Sequence, residues 1–332
     1  MTTPAGTMTA TAKIAFPTRR IGHVNLFIGN LARSMDFYMH VCGFEQTARE
    51  THNGAGFLSN GNTNHDIGVV VANAPVLNLP ALHEPPGRGA RPGLNHFGWE
   101  LATEADLVGG YKRALAAKQK LPHIDMGTGR SVFIFDDDGV QHQFYVSKTR
   151  NWRSVYTGKE VELHANPPWD PLTEPAGREE TFDLGVDIRR VESAPLHPMR
   201  ITHAVMVTAD LDRATRFYTD VAGFRVVDRF ADRGVVYVGG SAARHDIVLV
   251  AARDGLAPGF HHAAFEVWPG DDLKAAAAEL RRRGIAVERE FDCAYKRSLF
   301  INDPDGIRLE FYQYLAPPAP EQRDRVALAD AV

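Results

Sequence analysis

The chain has little with which to cross-link itself, cross a membrane or hold nucleic acid. Of its 332 residues only two are cysteine, Cys42 and Cys293, far apart in sequence. They cannot form a disulfide framework or a Cys-x-x-Cys zinc site, and such a chain suits a reducing compartment. No stretch approaches the roughly 18–20 continuous apolar residues of a membrane span. Basic residues are not in excess, with 37 Lys and Arg against 41 Asp and Glu and no long basic run, which argues against a nucleic-acid partner. The opening MTTPAGTMTATAKIAFPTRR lacks the apolar segment of a secretion signal. Residues 1–19 read as a disordered leader, and a cytoplasmic location is expected.

What the chain does have is an internal repeat. RIGHVNLFIGNLARSMDFYMHVCGFEQT (Arg20–Thr47) aligns without a gap to RITHAVMVTADLDRATRFYTDVAGFRVV (Arg200–Val227), with 10 of 28 positions identical. His65-Asp66-Ile67 and His245-Asp246-Ile247 keep the same offset. At a changed offset, NHFGWEL (Asn95–Leu101) matches HHAAFEV (His261–Val267), and SVFIFDDDGVQHQFY matches SLFINDPDGIRLEFY. Two homologous domains follow, over about 20–148 and 200–315. Residues 149–199, rich in Pro and charge, form a long connector, and 316–332 a loose tail. The insertion Val76–Gly93 has no counterpart in the second domain and is expected to cover a surface or join an interface.

Each domain is itself double. In the second, Ile201–Val207 reads as a strand and Asp210 as the cap of a helix starting at Leu211. Leu211, Ala214, Phe217, Tyr218 and Val221 share one face of that helix, and Gly223 ends it. Val235–Val238 and Ile247–Ala251 are further strands. His262–Val267, a helix over Asp272–Arg283, Ser298–Ile301 and Arg308–Tyr312 repeat the order, the last two joined by the turn Asp303–Gly306. The fold class is α+β, with four βαβββ modules in two domains, each domain a mixed sheet curled around a cavity.

Three residues from separate strands of the second domain form a ligand set: His203, His262 and Glu310. A carboxylate between Leu309 and Phe311 is costly to bury unless paired or metal-bound. Two imidazoles and one carboxylate make the facial triad that leaves open positions on non-haem Fe(II). Taken alone, each histidine would more often be a core residue and the glutamate solvent-facing. Their repeat-equivalent positions weaken that reading.

The sequence resembles the vicinal oxygen chelate superfamily, most closely its two-domain type I extradiol ring-cleaving dioxygenases. The resemblance rests on ITHAVMVTADLDRATRFYTDVAGF, HDIVLV, FHHAAFEV and SLFINDPDGIRLEFY. It implies a metal-dependent dioxygenase that opens a catechol-like ring with O2, using Fe(II), with Mn(II) also accepted by such ligands. It implies His203, His262 and Glu310 as ligands, His261 as a neighbour, and a homo-oligomer. His245 matches a histidine that assists oxygen activation. A structural His–Asp pair opening a strand is the other reading of His245, and both stand. Two positions depart from the family. Tyr295 stands where an acid-supplying histidine is usual, and Phe300 where a substrate-binding tyrosine is usual. Tyr295 could replace one hydroxyl function, Phe300 would line the substrate, and Lys296 or Arg297 could hold a substrate anion. In the first domain His23, His96 and Gln143 occupy the ligand positions and read as a relic with structural duties, a second functional metal site being the other reading. The alternatives within the superfamily are a non-oxygenating isomerase or lyase, and a ligand-sequestering resistance protein.

Overall fold

The computed structural model describes residues 14–74, 88–119, 121–160, 167–182 and 187–315. The expectations for residues 1–13, for most of the insertion at 76–93 and for the tail from 316 lie outside the described residues. The first domain runs β1 (Thr18–Ile28), α1 (Leu31–His40), β2 (Gln46–Glu50), β3 (Ala55–Leu58), β4 (Ile67–Val71), β5 (Gly93–Leu101), α2 (Glu104–Ala116), β6 (His123–Asp125), β7 (Gly129–Phe135) and β8 (Gln141–Ser147). The second repeats it as β9 (Pro198–Thr208), α3 (Leu211–Arg216), β10 (Arg225–Phe230), β11 (Val235–Gly239), β12 (Ile247–Ala251), β13 (Gly259–Val267), α4 (Leu273–Arg282), β14 (Val287–Asp292), β15 (Lys296–Asn302) and β16 (Arg308–Tyr314). The sheet orders are β2-β3-β4-β1-β5-β8-β7-β6 and β10-β11-β12-β9-β13-β16-β15-β14. This is the α+β fold of repeated βαβββ modules.

The modules of each domain meet along an antiparallel pair, β1 with β5 and β9 with β13. Each seam carries three register shifts. Such bulges bend a strand and add twist, so the sheets curl rather than lie flat. The helices start where the chain offers a cap: Asn30 accepts from Arg33 N–H, Asp210 from Arg213 N–H, and Thr103 forms a capping box with Asp106.

Three features differ from the sequence reading. Residues 14–19, expected to be leader, belong to the fold: Ile14 and Phe16 are buried, and Phe16 stacks on Phe144 with centroids 4.1 Å apart. The helix expected through Val221 is α-helical only to Arg216 and continues as a π-turn over Phe217–Val221. Thr215 Oγ1 donates to the Leu211 carbonyl (2.6 Å), a competing bond of the kind that loosens a helix. The strands β10 and β14 carry little apolar alternation, so pattern alone does not mark them.

The two domains share one apolar core built from their helix-covered faces. Phe44 meets Phe265 and Trp99 meets Phe224, each pair 5.2 Å apart. Around this core the polar contacts are reciprocal. Asp66 accepts Ile201 N–H (2.9 Å), and Asp246 accepts Ile21 N–H (2.6 Å), so each domain's carboxylate holds the first strand of the other. Asp305 accepts Gly29 N–H (2.9 Å) and pairs with Arg33, while Asp138 accepts from Thr208 (2.8 Å) and pairs with Arg213. Gly43 and Gly223 have φ of 79° and 69°, and a Cβ there would lie 2.0 Å from the Leu196 carbonyl oxygen and 2.2 Å from that of Phe16. Glycine is therefore required twice over, for the left-handed turn and for the approach of the other domain's entering chain. The connector adds Trp152, Tyr156, Trp169 and Phe182, all buried.

Burial pushes the carboxyls of Asp66 and Asp246 up, to about 6 and about 7, against the pull of the N–H groups they accept. The folded protein then holds protons there that the unfolded chain has lost above the ordinary carboxylate range, so their share of stability falls as pH rises from about 4 to 7. Measured by thermal unfolding across that range, the stability difference between wild type and Asp246→Asn should shrink with rising pH. A constant difference would contradict this assignment.

Candidate metal centre and active site

Three strands of the second sheet bring the candidate ligands together. His203 lies on β9, His262 on β13 and Glu310 on β16, and one ligand atom from each falls within 4.8 Å of the others. Glu310 Oε2 is 3.8 Å from His203 Nε2 and 3.4 Å from His262 Nε2. All three side chains are buried, and these three atoms have no hydrogen-bond partner. Buried polar atoms left unmatched and aimed at one point fit a cation, since isolated desolvation of this kind is otherwise costly. Two neutral imidazoles and a carboxylate suit Fe(II) or Mn(II). Burial lowers His203 well below the ordinary histidine range, helped by His245 and Lys296, so it is neutral and able to ligate. Burial alone would raise Glu310, but the charge of Lys296 and the nearby His262 hold it below the ordinary carboxylate range.

The double histidine is explained by the seam. β13 pairs Phe260 with Met206 and His262 with Val205, so His261 is the extra residue of a bulge. That turns His262 onto the cavity face beside Glu310 and leaves His261 half-buried behind it. His261 Nδ1 lies 2.7 Å from His262 Nδ1. On its other side His261 accepts from Arg308, whose guanidinium lies 2.9 Å from Nε2. Asn95 is the extra residue at the same place in the first domain.

His245 sits in the turn entering β12, its ring centroid 4.6 Å from that of His203. Its Nε2 is buried without a partner. Burial, then Arg244 and Lys296, bring its pKa down to about 3. The ring is therefore neutral at pH 7. The next residue is the Asp246 that grips Ile21, so the two halves of this motif do different things. His203 and His245 also line a pocket with Arg244, Tyr312 and Tyr314, with the Arg244 guanidinium 5.3 Å from the Tyr314 ring centroid.

The other expected residues are placed as follows. Phe300 faces Glu310 across β15 and β16 and packs edge-on to His262 at 5.3 Å. Tyr295 is buried at the entrance of β15, where its carbonyl accepts from Leu315. Arg297 alternates to the opposite side of β15 from Phe300 and pairs with Asp292 at 3.2 Å. Lys296 is fully buried, its Nζ 2.9 Å from Glu310 Oε1, so its charge is matched within the protein rather than offered to a substrate anion. Sequence reasoning missed this pairing; the sign that could have shown it is strand alternation, which puts Lys296, Ser298 and Phe300 on the side that faces Glu310.

The first domain keeps much of the same set. His23 Nε2 lies 3.1 Å from Gln143 Oε1, Gln143 Nε2 donates to Ser131 (2.7 Å), and the His23 ring is 4.0 Å from His65 and 5.5 Å from His96. Burial lowers all three histidines, His23 to about 4. A Cβ at Gly98 would lie 2.1 Å from His23 Cε1, whereas the equivalent residue in the second domain is Ala264. His23 therefore occupies space that a methyl group takes in the other domain, and its ring closes onto the carboxamide. Beside it lies a cavity of about 100 Å³ walled by Phe57, Val69, Ile124, Phe133 and Tyr156.

Comparison with known proteins agrees with this architecture. The chain is 26% identical over 230 residues to the catechol-2,3-dioxygenase of Bacillus subtilis (strain 168), covering 69% of this chain and 73% of that protein. The 2,3-dioxygenase LapB from Pseudomonas sp. KL28 superposes with a TM-score of 0.62 at 18% identity, covering 92% of this chain and 96% of that one. The Mn(II)-bound glyoxalase from Novosphingobium aromaticivorans gives a TM-score of 0.62 at 17% identity, over 92% and 89% of the two chains. At those identities the two structures speak for the fold alone. The family model of the Glyoxalase/Bleomycin resistance protein/Dioxygenase superfamily matches residues 20–144 and again 200–311, once for each curled sheet, and the chain belongs to that superfamily.

Proposed function

We propose that this protein is an extradiol-type dioxygenase that opens the ring of a catechol-like aromatic with O2. The observation that carries the reading is the convergence of three unpartnered, buried ligand atoms on His203, His262 and Glu310 beside the neutral, unpartnered imidazole of His245. Fe(II), or Mn(II), held there would bring substrate and O2 together and pass electron density between them. The chain's own residues do the rest. His245 accepts a substrate hydroxyl proton at its free Nε2 and can return it later in the reaction. Phe300 and Tyr312 wall the space beside the ligands and keep water from it. Arg244, in the pocket that His203 and His245 line, favours substrates of negative charge.

The competing reading is a superfamily member in which the metal only polarises an oxygen-chelating substrate. Phe300 favours it, since no hydroxyl stands there to bond a catecholate. The two readings part under anaerobic conditions, where the second alone predicts turnover.

The Fe(II)-loaded protein should consume O2 in the presence of a catechol and yield a coloured ring-opened product. His203→Ala should lose both metal and activity. A metal-loaded protein silent across a panel of catechols would sink the proposal. His245→Gln should retain its metal but lose about 10²–10⁴-fold in kcat, the usual worth of a positioned acid–base group. Retention of full activity in that variant would leave His245 only a structural part.

A further inference from the structure

Lys296 is the one lysine or arginine that is buried among the described residues. Its Nζ stands 2.9 Å from Glu310 Oε1 and 4.5 Å from the Tyr312 ring centroid. The other oxygen, Oε2, is the one that faces His203 and His262. The carboxylate is thus divided between a cation of the protein and a point where two imidazoles converge.

The first domain supplies an internal control. Paired strand by strand, Glu310 corresponds to Gln143, Phe300 to Phe133, Ser298 to Ser131 and Tyr312 to Tyr145. Lys296, opposite Tyr314, corresponds to Gly129, opposite Ser147. The aromatic and hydroxyl neighbours are kept, and two positions change together. Where the ligand position is a neutral carboxamide there is no lysine; where it is a carboxylate, a lysine is buried against it. The two changes are equal and opposite in charge.

We propose that Lys296 is a positioning and charge-setting residue of the metal centre: it holds Glu310 through Oε1, so that only Oε2 is offered to the metal, and it cancels the glutamate's charge, so that the centre takes its chelating substrate as a dianion. The inference rests on the reading of His203, His262 and Glu310 as ligands of a divalent metal. Two neutral imidazoles, one carboxylate and one ammonium sum to zero, and a divalent cation among them keeps its full double charge. A buried double charge is balanced by a doubly deprotonated catechol, and a monoanion leaves a buried surplus. Holding Glu310 to a single oxygen also keeps coordination positions free for a two-oxygen substrate. Lys296 makes no bond to substrate in this scheme; it acts through Glu310 and through its charge.

The test is a titration of Mn(II) into the metal-free full-length protein, compared across Lys296→Met, Lys296→Gln and Lys296→Arg. Removing the ammonium removes repulsion on the cation, so at mildly alkaline pH, where protons do not compete with Mn(II) for Glu310, Met and Gln should bind Mn(II) at least tenfold more tightly, while Arg stays near wild type. A merely structural lysine predicts the opposite sign, since a damaged site binds metal more weakly. The second readout is the absorption spectrum of 4-nitrocatechol bound anaerobically to the Mn(II) protein. Its dianion, spectrally distinct from its monoanion, should dominate in wild type, and the monoanion should gain in Lys296→Met. Unchanged or weaker Mn(II) binding in the folded Met or Gln variant, or a wild-type complex that holds the monoanion, would overturn the inference. If wild type itself takes up no Mn(II) or Fe(II), the metal reading falls instead.

Discussion

The reciprocal grip of Asp66 and Asp246 is the constraint on which the rest of the molecule depends. Each carboxylate is buried, and each reaches out of its own sheet to hold a peptide N–H, of Ile21 or Ile201, in the strand that begins the other domain. Asp66 is further fixed by Ser59 and Asn62, and Asp246 by the Gly240 N–H. A buried carboxylate so bonded can satisfy its partners in only one arrangement of the two domains. The strands it registers are β1 and β9, which carry His23 and His203. The residues preceding it are His65 and His245, whose rings stack beside those same histidines. One interaction therefore docks the domains and sets the histidines of both cavities.

This explains why the His–Asp motif occurs in both halves although the two cavities differ. The aspartate is needed twice because an approximately two-fold arrangement has two equivalent seams. Its presence in the first domain says nothing about catalysis there. The histidine is a separate matter, decided by what surrounds it. In the second domain it faces ligand atoms that lack partners; in the first it packs on a His23 that already meets Gln143.

Much of the fold was legible because the chain states it twice. A constant offset from Arg20 to Thr47 and Arg200 to Val227 fixed the first module, and the paired Asp-Gly turns fixed the end of the second. The nearness of His203, His262 and Glu310 could be foreseen because equivalent central strands of a repeated module must lie side by side. What could not be read depends on contacts between distant segments. Asp246 looks like the local partner of His245 until Ile21 is placed against it. Lys296 and Arg297 look like two surface cations until pleating sends one into the cavity and the other to Asp292. Phe16 looks like leader until the second domain's α3 and π-turn supply its partner, Val221, whose carbonyl accepts its N–H at 2.8 Å.

The divergence of the two cavities can be followed through three small differences. Ala264 in place of Gly98 leaves no room for the histidine ring to settle onto the seam, so His203 stands away from it and toward the cavity. Glu310 in place of Gln143 supplies a charged ligand, but an isolated carboxylate at that depth would be driven to protonate. Lys296 in place of Gly129 keeps it ionised. The lysine without the glutamate would be a bare buried cation, and the glutamate without the lysine is drawn toward its protonated form until metal arrives. The first domain, which has neither charge, holds instead a neutral cluster of imidazoles in which His23 meets the carboxamide of Gln143.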